Sequence, residues 1–458
     1  MNTSINPSIN PSMPVTKSEK TLSIQIRSFS FWLVFILCYF YLSRIIIVLT
    51  YDKLPLGMTV LFICLLMVFL HQKIVKNIPL TIVVALLVLI SLISAWVNNV
   101  SWLQLLAFVR ILIIVYLIYN LVWYYLDNRE RVVHVLRLMF LIAIVQFPVI
   151  ALQRYLYPFL PDRIKYGNVT GQLSMIDFGM GTFNGDTSMA FALIVLVILL
   201  LFDRNVRFIA KRTWLLAGWL TVTILFSNSQ IHHFMILFVW VIYFLTHLRI
   251  KNILIGFILV GFVIASIVLL SKSNLMTFPL IQNTINKFLS ISQVLDENIA
   301  YEKFIGGSQA RNEAIAYYLN QPIKWIGDGP GAVYDTATGS RTVGGWGHIF
   351  TFYAEVGIIG WLVSVLIFFV IAFPIRWSDT GVKIQYSLVQ ALVFLSVNIV
   401  TLVKYPMGNS AIMFTYCVIL IGHQFLSRSE YLSNSIMTRR SLNPYERPGN
   451  RAQTYKNM

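Results

Sequence analysis

Residues 306–360 read GGSQARNEAIAYYLNQPIKWIGDGPGAVYDTATGSRTVGGWGHIFTFYAEVGIIG, and the order of chemistry along them decides how the chain is read. A polar, helix-patterned segment passes through a Gly/Pro turn from Gly327 to Gly331 and ends by entering an apolar run. That run carries His348 and, seven residues on, Glu355. A plain membrane span needs no arginine before it, no glycine-rich turn and no histidine at its mouth. The stretch therefore marks the end of a large polar loop and the start of a span with chemistry attached.

Composition fixes the class around it. The chain is 57% hydrophobic and 12% charged, whereas charged residues make up about a quarter of a soluble protein. The apolar residues fall in repeated runs of roughly twenty, the length that crosses a bilayer as helix. Twelve spans are predicted, at about 29–50, 55–70, 78–97, 103–126, 138–157, 186–202, 213–227, 231–247, 253–271, 347–375, 385–404 and 410–426. The expectation is an all-α polytopic membrane protein. It has a tail at 1–28, transmembrane helices 1–9 over 29–271, a large loop with short helices at 272–346, and helices 10–12 over 347–426. A second long loop lies at about 158–185. The polar first 28 residues do not read as a signal peptide, because the apolar run after them has full spanning length. Residues 427–458 are polar, basic and aperiodic, and are predicted to be disordered near anionic headgroups.

The net charge of +17 would suggest nucleic acid in a soluble chain, but its distribution excludes that partner here. With the N-terminus inside, the inner segments hold 22 of the 35 basic residues and +15 of the net charge. Lysine and arginine in short cytoplasmic loops set orientation. Both termini are thus predicted in the cytoplasm, in a bacterial inner membrane, and both long loops outside it. Cys38, Cys64 and Cys417 all lie in apolar runs, so neither a disulfide framework nor a CxxC metal site is available.

Charges inside spans are costly and read as functional candidates. Arg110 lies about two turns into the fourth predicted span; Arg44, Arg154 and Lys404 sit near outer span ends, where snorkelling is the competing explanation. With Arg311, Arg163, Lys165 and Arg341 they all belong to the outer half. Guanidinium forks match phosphate oxygens in bidentate fashion, so a lipid-linked diphosphate in the outer leaflet suits them. Buried carboxylates, the usual mark of a proton-coupled transporter, are scarce, Glu355 being the deepest acid.

Three outer motifs follow. Gly179–Leu201 begins with a Gly/Asn/Asp turn in which Asp186, Thr187 or Ser188 would cap a helix. Phe226–Phe238 makes a tight polar turn bearing Ser227, Ser229, Gln230, His232 and His233; adjacent histidines face different ways, which argues against a shared metal. The third is the stretch from Gly306 to Gly360, where His348 is the natural general base. Glu355, two turns on, can orient it only indirectly or order the bundle.

Together these motifs resemble the O-antigen ligase/polymerase superfamily of bacterial envelope glycosyltransferases. The shared pattern is SQAR at Arg311, then PIKWIGDGPG (Pro322 to Gly331), then H-x-x-x-x-x-x-E-x-G-x-x-G at His348, Glu355, Gly357 and Gly360. GTFNGD, from Gly181 to Asp186, is similar to the family's G-T-F-x-N-P element. The chain departs from the family where an arginine usually precedes G-T-F (here IDFGM), where Ser-Arg is usual (Ser229-Gln230) and where His-Asn is usual (His348-Ile349).

The resemblance implies an enzyme that moves a glycan from undecaprenyl diphosphate to an acceptor hydroxyl, either another glycan repeat or lipid A–core. Catalysis would rest on His348 as base and Arg311 on the leaving diphosphate. Arg110, Arg154, Arg163, Gln230 and Glu355 are the candidate substrate-binding residues. No D-x-D occurs in an outer segment, so metal-independent transfer without a cofactor is expected. A polymerase of surface polysaccharide is the favoured subclass, with a ligase and a lipid-linked-glycan transporter as alternatives.

Overall fold

A computed structural model describes residues 40–42, 77–126, 128–156, 181–183, 186–206, 213–227, 229–246, 322–331, 334–335, 340–341, 348–378, 381–384, 386–402 and 405–442. Among these residues the fold is helical apart from two short strand pairs. The helices are α1 (Ile78–Val97), α2 (Trp102–Tyr125), α3 (Arg129–Leu156), α4 (Asp186–Phe202), α5 (Thr213–Leu225), α6 (Gln230–Thr246), α7 (His348–Ala372), α8 (Leu388–Thr401) and α9 (Ser410–Leu442). Five of them, α1, α2, α3, α7 and α9, are long and apolar enough to cross a membrane by length and composition. The predicted spans at 55–70 and 253–271, and nearly all of 29–50, lie outside the described residues.

Local sequence explains most ends. Asn77 caps α1 by accepting from the Leu80 amide at 3.0 Å, with Pro79 in the first turn, where its missing donor costs nothing. Ser101 and Gln104 form a capping box that opens α2. In α3, Pro148 cannot donate to the carbonyl of Ile144, and the Trp219 indole of α5 donates to that oxygen instead at 3.0 Å. Helix α4 is apolar all round and forms the centre: every residue from Met189 to Leu200 is buried. Helices α5, α6, α8 and α9 pack around it, while α1 lies along α7.

Strands β1 (Tyr334–Asp335) and β2 (Ser340–Arg341) form an antiparallel pair, and β3 (Ile375–Ser378) with β4 (Gly381–Ile384) make a hairpin between α7 and α8. The last helix differs from expectation. The tail predicted to be disordered from 427 is helical to Leu442, because no glycine or proline interrupts RSEYLSNSIMTRRSL before Pro444.

Helix α7 is not one straight span. Gly357 has φ 73° and ψ −175°, a region open essentially to glycine alone, and the helix breaks there into arms 348–356 and 358–372. His348 Nε2 lies 2.8 Å from Ser364 Oγ, and its ring is 5.5 Å from Phe368. At 1.5 Å of rise per residue His348 lies about 13 Å from Gly357 along the first arm, and Ser364 and Phe368 about 10 Å and about 16 Å along the second. Their ends can meet only if the chain reverses. The apolar run predicted at 347–375 is therefore a helical hairpin, with a short first arm folded back on a longer second one.

Candidate functional site

The Gly/Pro turn and the reversal of α7 are two halves of one unit. Breaking a helix in an apolar setting exposes carbonyls at the end of one arm and amides at the start of the next, each costing several kcal/mol if unmet. Residues 324–331 meet them. Asp328 N donates to Ala354 O at 2.7 Å and Gly329 N to Glu355 O at 3.0 Å, while Ile358 N donates to Lys324 O at 3.0 Å. From α1, Ser94 Oγ is within 2.8 Å of both Ile326 O and Glu355 O, and Asn98 Nδ2 donates to Gly327 O at 3.1 Å.

Glycine is required where the strands of this knot touch. A Cβ at Gly357 would stand 2.3 Å from the Trp325 carbonyl oxygen, and one at Gly327 2.5 Å from the Gly357 amide. Lys324 Nζ and Asp328 Oδ2, 2.6 Å apart and partly exposed, bracket the turn, and Lys324 N donates to Tyr353 Oη at 3.1 Å. Trp325, Ile323, Trp96 and Trp102 are exposed at this end, the residue types that favour a bilayer interface.

Glu355 is fully buried and accepts from Gly331 N at 3.1 Å. It ties the far side of the turn to the first arm, so its place in the structure is the ordering one and not that of a partner to His348. The amides of Asp328, Gly329 and Gly331 all point inward, to the broken helix and its carboxylate. The turn thus spends these donors on the fold and does not present them as an anion cradle.

His348 is the first residue of α7, as a histidine at a helix entrance should be, and the reversal sets it about two turns from Gly357, level with Ser364. It is fully buried in a box made by Phe352 (4.2 Å between ring centroids), Phe368 (5.5 Å) and Tyr405 (5.4 Å, stacked). Nδ1 has no hydrogen-bond partner. Tyr405 closes the box from the turn between α8 and α9, where a Cβ at Gly408 would stand 2.5 Å from its ring.

The GTF element packs close by. Thr182 N donates to Gln146 Oε1 at 2.9 Å, Gln146 Nε2 is 2.9 Å from Thr182 Oγ1, and the Phe183 ring packs tilted against Tyr41 at 4.7 Å. Asn409, four residues past Tyr405, donates to Ser188 Oγ at 2.7 Å. Phe147, next to Gln146, touches Phe226 at the head of the serine–histidine turn. There His232 Nδ1 lies 2.6 Å from Ser229 Oγ and His233 Nε2 donates to Ile224 O at 3.0 Å, both rings buried. Gln146 and Phe147 thus tie the GTF element to the serine–histidine turn, and the turn that carries Tyr405 is tied to the first turn of α4.

The other sequence candidates are placed less fully. Arg110 is half-buried on α2, about 200° around the helix from Phe108, which packs on Phe352 at 5.3 Å. Arg154 is carried in the last turn of α3 and Gln230 opens α6. Arg341 lies on β2, paired with Tyr334. Arg311, Arg163, Lys165, Arg44 and Lys404 lie outside the described residues. Gln146, Ser94 and Asn98 were not anticipated; a lone glutamine just before Pro148 in an apolar run was the available signal for the first. Among the described residues no group of histidine, cysteine and acidic side chains could hold a metal ion. No family model matches this chain, and neither a curated protein nor a solved structure does.

Proposed function

We propose that this chain is a membrane glycosyltransferase of the O-antigen ligase/polymerase type. It would take glycan from undecaprenyl diphosphate and pass it to an acceptor hydroxyl in surface-polysaccharide synthesis. The observation that carries this reading is convergence. The Gly/Pro turn, Glu355 and Gly357 form one hydrogen-bonded unit on the helix that begins at His348, and Gln146–Phe147 of α3 touches both the GTF element and the serine–histidine turn, so motifs far apart in sequence are paired in the fold. A scaffold protein has no need to bring those particular motifs together.

In this reading the arginines, Arg311 foremost with Arg110, Arg154 and Arg163, neutralise the departing diphosphate. His348 takes the acceptor proton, which requires Tyr405 to swing off its ring. The Gly/Pro turn and Glu355 hold the broken helix that carries His348. The acceptor is another lipid-linked repeat in a polymerase and lipid A–core in a ligase.

The test is complementation of a host lacking its own enzyme, comparing wild type with Arg311→Ala and His348→Ala at matched membrane levels. Loss of surface glycan in both variants is expected. A ladder from the wild type marks a polymerase, and a single-repeat product marks a ligase. Full activity in both variants would remove the transferase reading and favour a transporter of lipid-linked glycan.

A further inference from the structure

A helix length from the Gly/Pro turn, a residue within one helix and residues at the ends of two others form a hydrogen-bonded chain of their own. The site is placed by Gln390 of α8, whose Nε2 donates to Ala372 O at the far end of α7 (2.8 Å). Ser387 caps α8, and its Oγ lies 2.9 Å from His423 Nε2 on α9. His423 Nδ1 lies 2.5 Å from Oδ2 of Asp203, which directly follows α4. Asp203 and His423 are buried and Ser387 is half-buried. The carboxylate is fixed on its other side too, since Oδ1 accepts from Asn205 N at 2.9 Å.

The order of atoms is informative. An ionised Asp203 accepts from Nδ1–H, which leaves Nε2 with its lone pair facing the serine hydroxyl. That is the arrangement of nucleophile, base and orienting acid, recognised by geometry and not by fold. A structural tie between α4 and α9 needs only the Asp203–His423 bond; the serine adds a reactive group on the accessible side. Ser387 Oγ also accepts from Gln390 N at 3.2 Å, so negative charge developing on it would face the amide end of α8. The first-turn amides beside it have no intrahelical acceptor and can serve a tetrahedral oxyanion. Tyr386 and Leu388, both exposed, flank the serine with apolar surface.

We propose that Ser387, His423 and Asp203 form a second site, a serine nucleophile directed at acyl esters of lipid-like alcohols. Ser387 Oγ attacks the ester carbonyl carbon while its proton passes to His423 Nε2. The carbon–oxygen bond to the alcohol breaks, and the departing oxygen takes that proton. Water, deprotonated by the same nitrogen, then releases the carboxylic acid and restores the serine.

The experiment is labelling of the purified full chain in detergent with a fluorophosphonate–rhodamine probe, the modified residue being read by peptide mass spectrometry. Ser387→Asn keeps a capping side chain while removing the nucleophile. Wild type is expected to label at Ser387, Ser387→Asn to lose that label, and Asp203→Asn and His423→Gln to label at least about tenfold more slowly. Melting of each variant separates a lost fold from a lost nucleophile. Absence of label at Ser387 in folded wild type overturns the proposal, as does labelling at wild-type rate in folded Asp203→Asn.

Discussion

His348 and Ser364, sixteen residues apart on what hydropathy reads as one helix, are bonded side chain to side chain at 2.8 Å. A straight helix would hold them about 24 Å apart. The bond is therefore a direct record of the reversal at Gly357. It sets the depth of the histidine, the place of Glu355 and the need for the Gly/Pro turn as a cap.

Gly357→Ala should be among the most damaging single changes in the chain. Alanine is excluded from φ 73°, ψ −175°, and its Cβ would meet the Trp325 carbonyl oxygen at 2.3 Å. Backbone strain alone is worth about 1–3 kcal/mol. Fluorescence-detected melting in detergent should show a drop of several degrees or complete loss of folded protein. Gly218→Ala is the control: it sits inside α5 with nothing within 4 Å of its would-be Cβ, and should be neutral or raise the melting point slightly.

Glu355 separates two ideas about itself. If its task is to hold Gly331 N, Glu355→Gln keeps an acceptor and should cost little, while Glu355→Ala leaves that buried amide unmet, at about 1–3 kcal/mol. Limited proteolysis within 322–331 should quicken in the alanine variant and not in the glutamine one. Equal protection in both variants would detach the carboxylate from the turn.

Tyr405 covers His348 by stacking at 5.4 Å. Tyr405→Ala should raise the rate at which diethyl pyrocarbonate modifies His348 by about tenfold, read by peptide mass spectrometry. An unchanged rate would show that the tyrosine is not the wall that isolates the ring.

Gly181 and Gln146 make a coupled pair. Gly181 has φ 63°, and a Cβ there would stand 2.0 Å from Gln146 Oε1. Gly181→Ala should destabilise strongly, and adding Gln146→Ala should recover part of the loss by making room. That non-additivity, of the order of 0.5–3 kcal/mol between touching residues, is measurable from the melting of both single variants and the double.

Much of this was legible in the chain. The Gly/Pro turn, Glu355, Gly357 and His348 stand out because polar and glycine residues are misplaced in an apolar run, and the structure makes one unit of the first three. The apolar runs read at 78–97 and 103–126 fall on α1 and α2. The reversal was hidden, since hydropathy records that 348–372 is apolar and not which way it runs. Only a carboxylate and a glycine two residues apart inside it hinted that partners were needed. Gln146 and the Ser387–His423–Asp203 chain were hidden for another reason: each pairs residues far apart in sequence, and no spacing rule joins position 146 to 182 or 203 to 423.

The hairpin at Gly357 has an effect on how this protein would answer a topology map. A straight run moves steadily along one direction, whereas a hairpin turns back, so position along the sequence and depth no longer change together. Depth is what changes. In a scan of single cysteines against a water-borne thiol reagent, a straight helix would lose reactivity steadily from position 348 onward. Here, among positions that are not buried, reactivity should be greater at 353, 358 and 359, beside the reversal, than at 349 or 366, a peak in the middle of an apolar run.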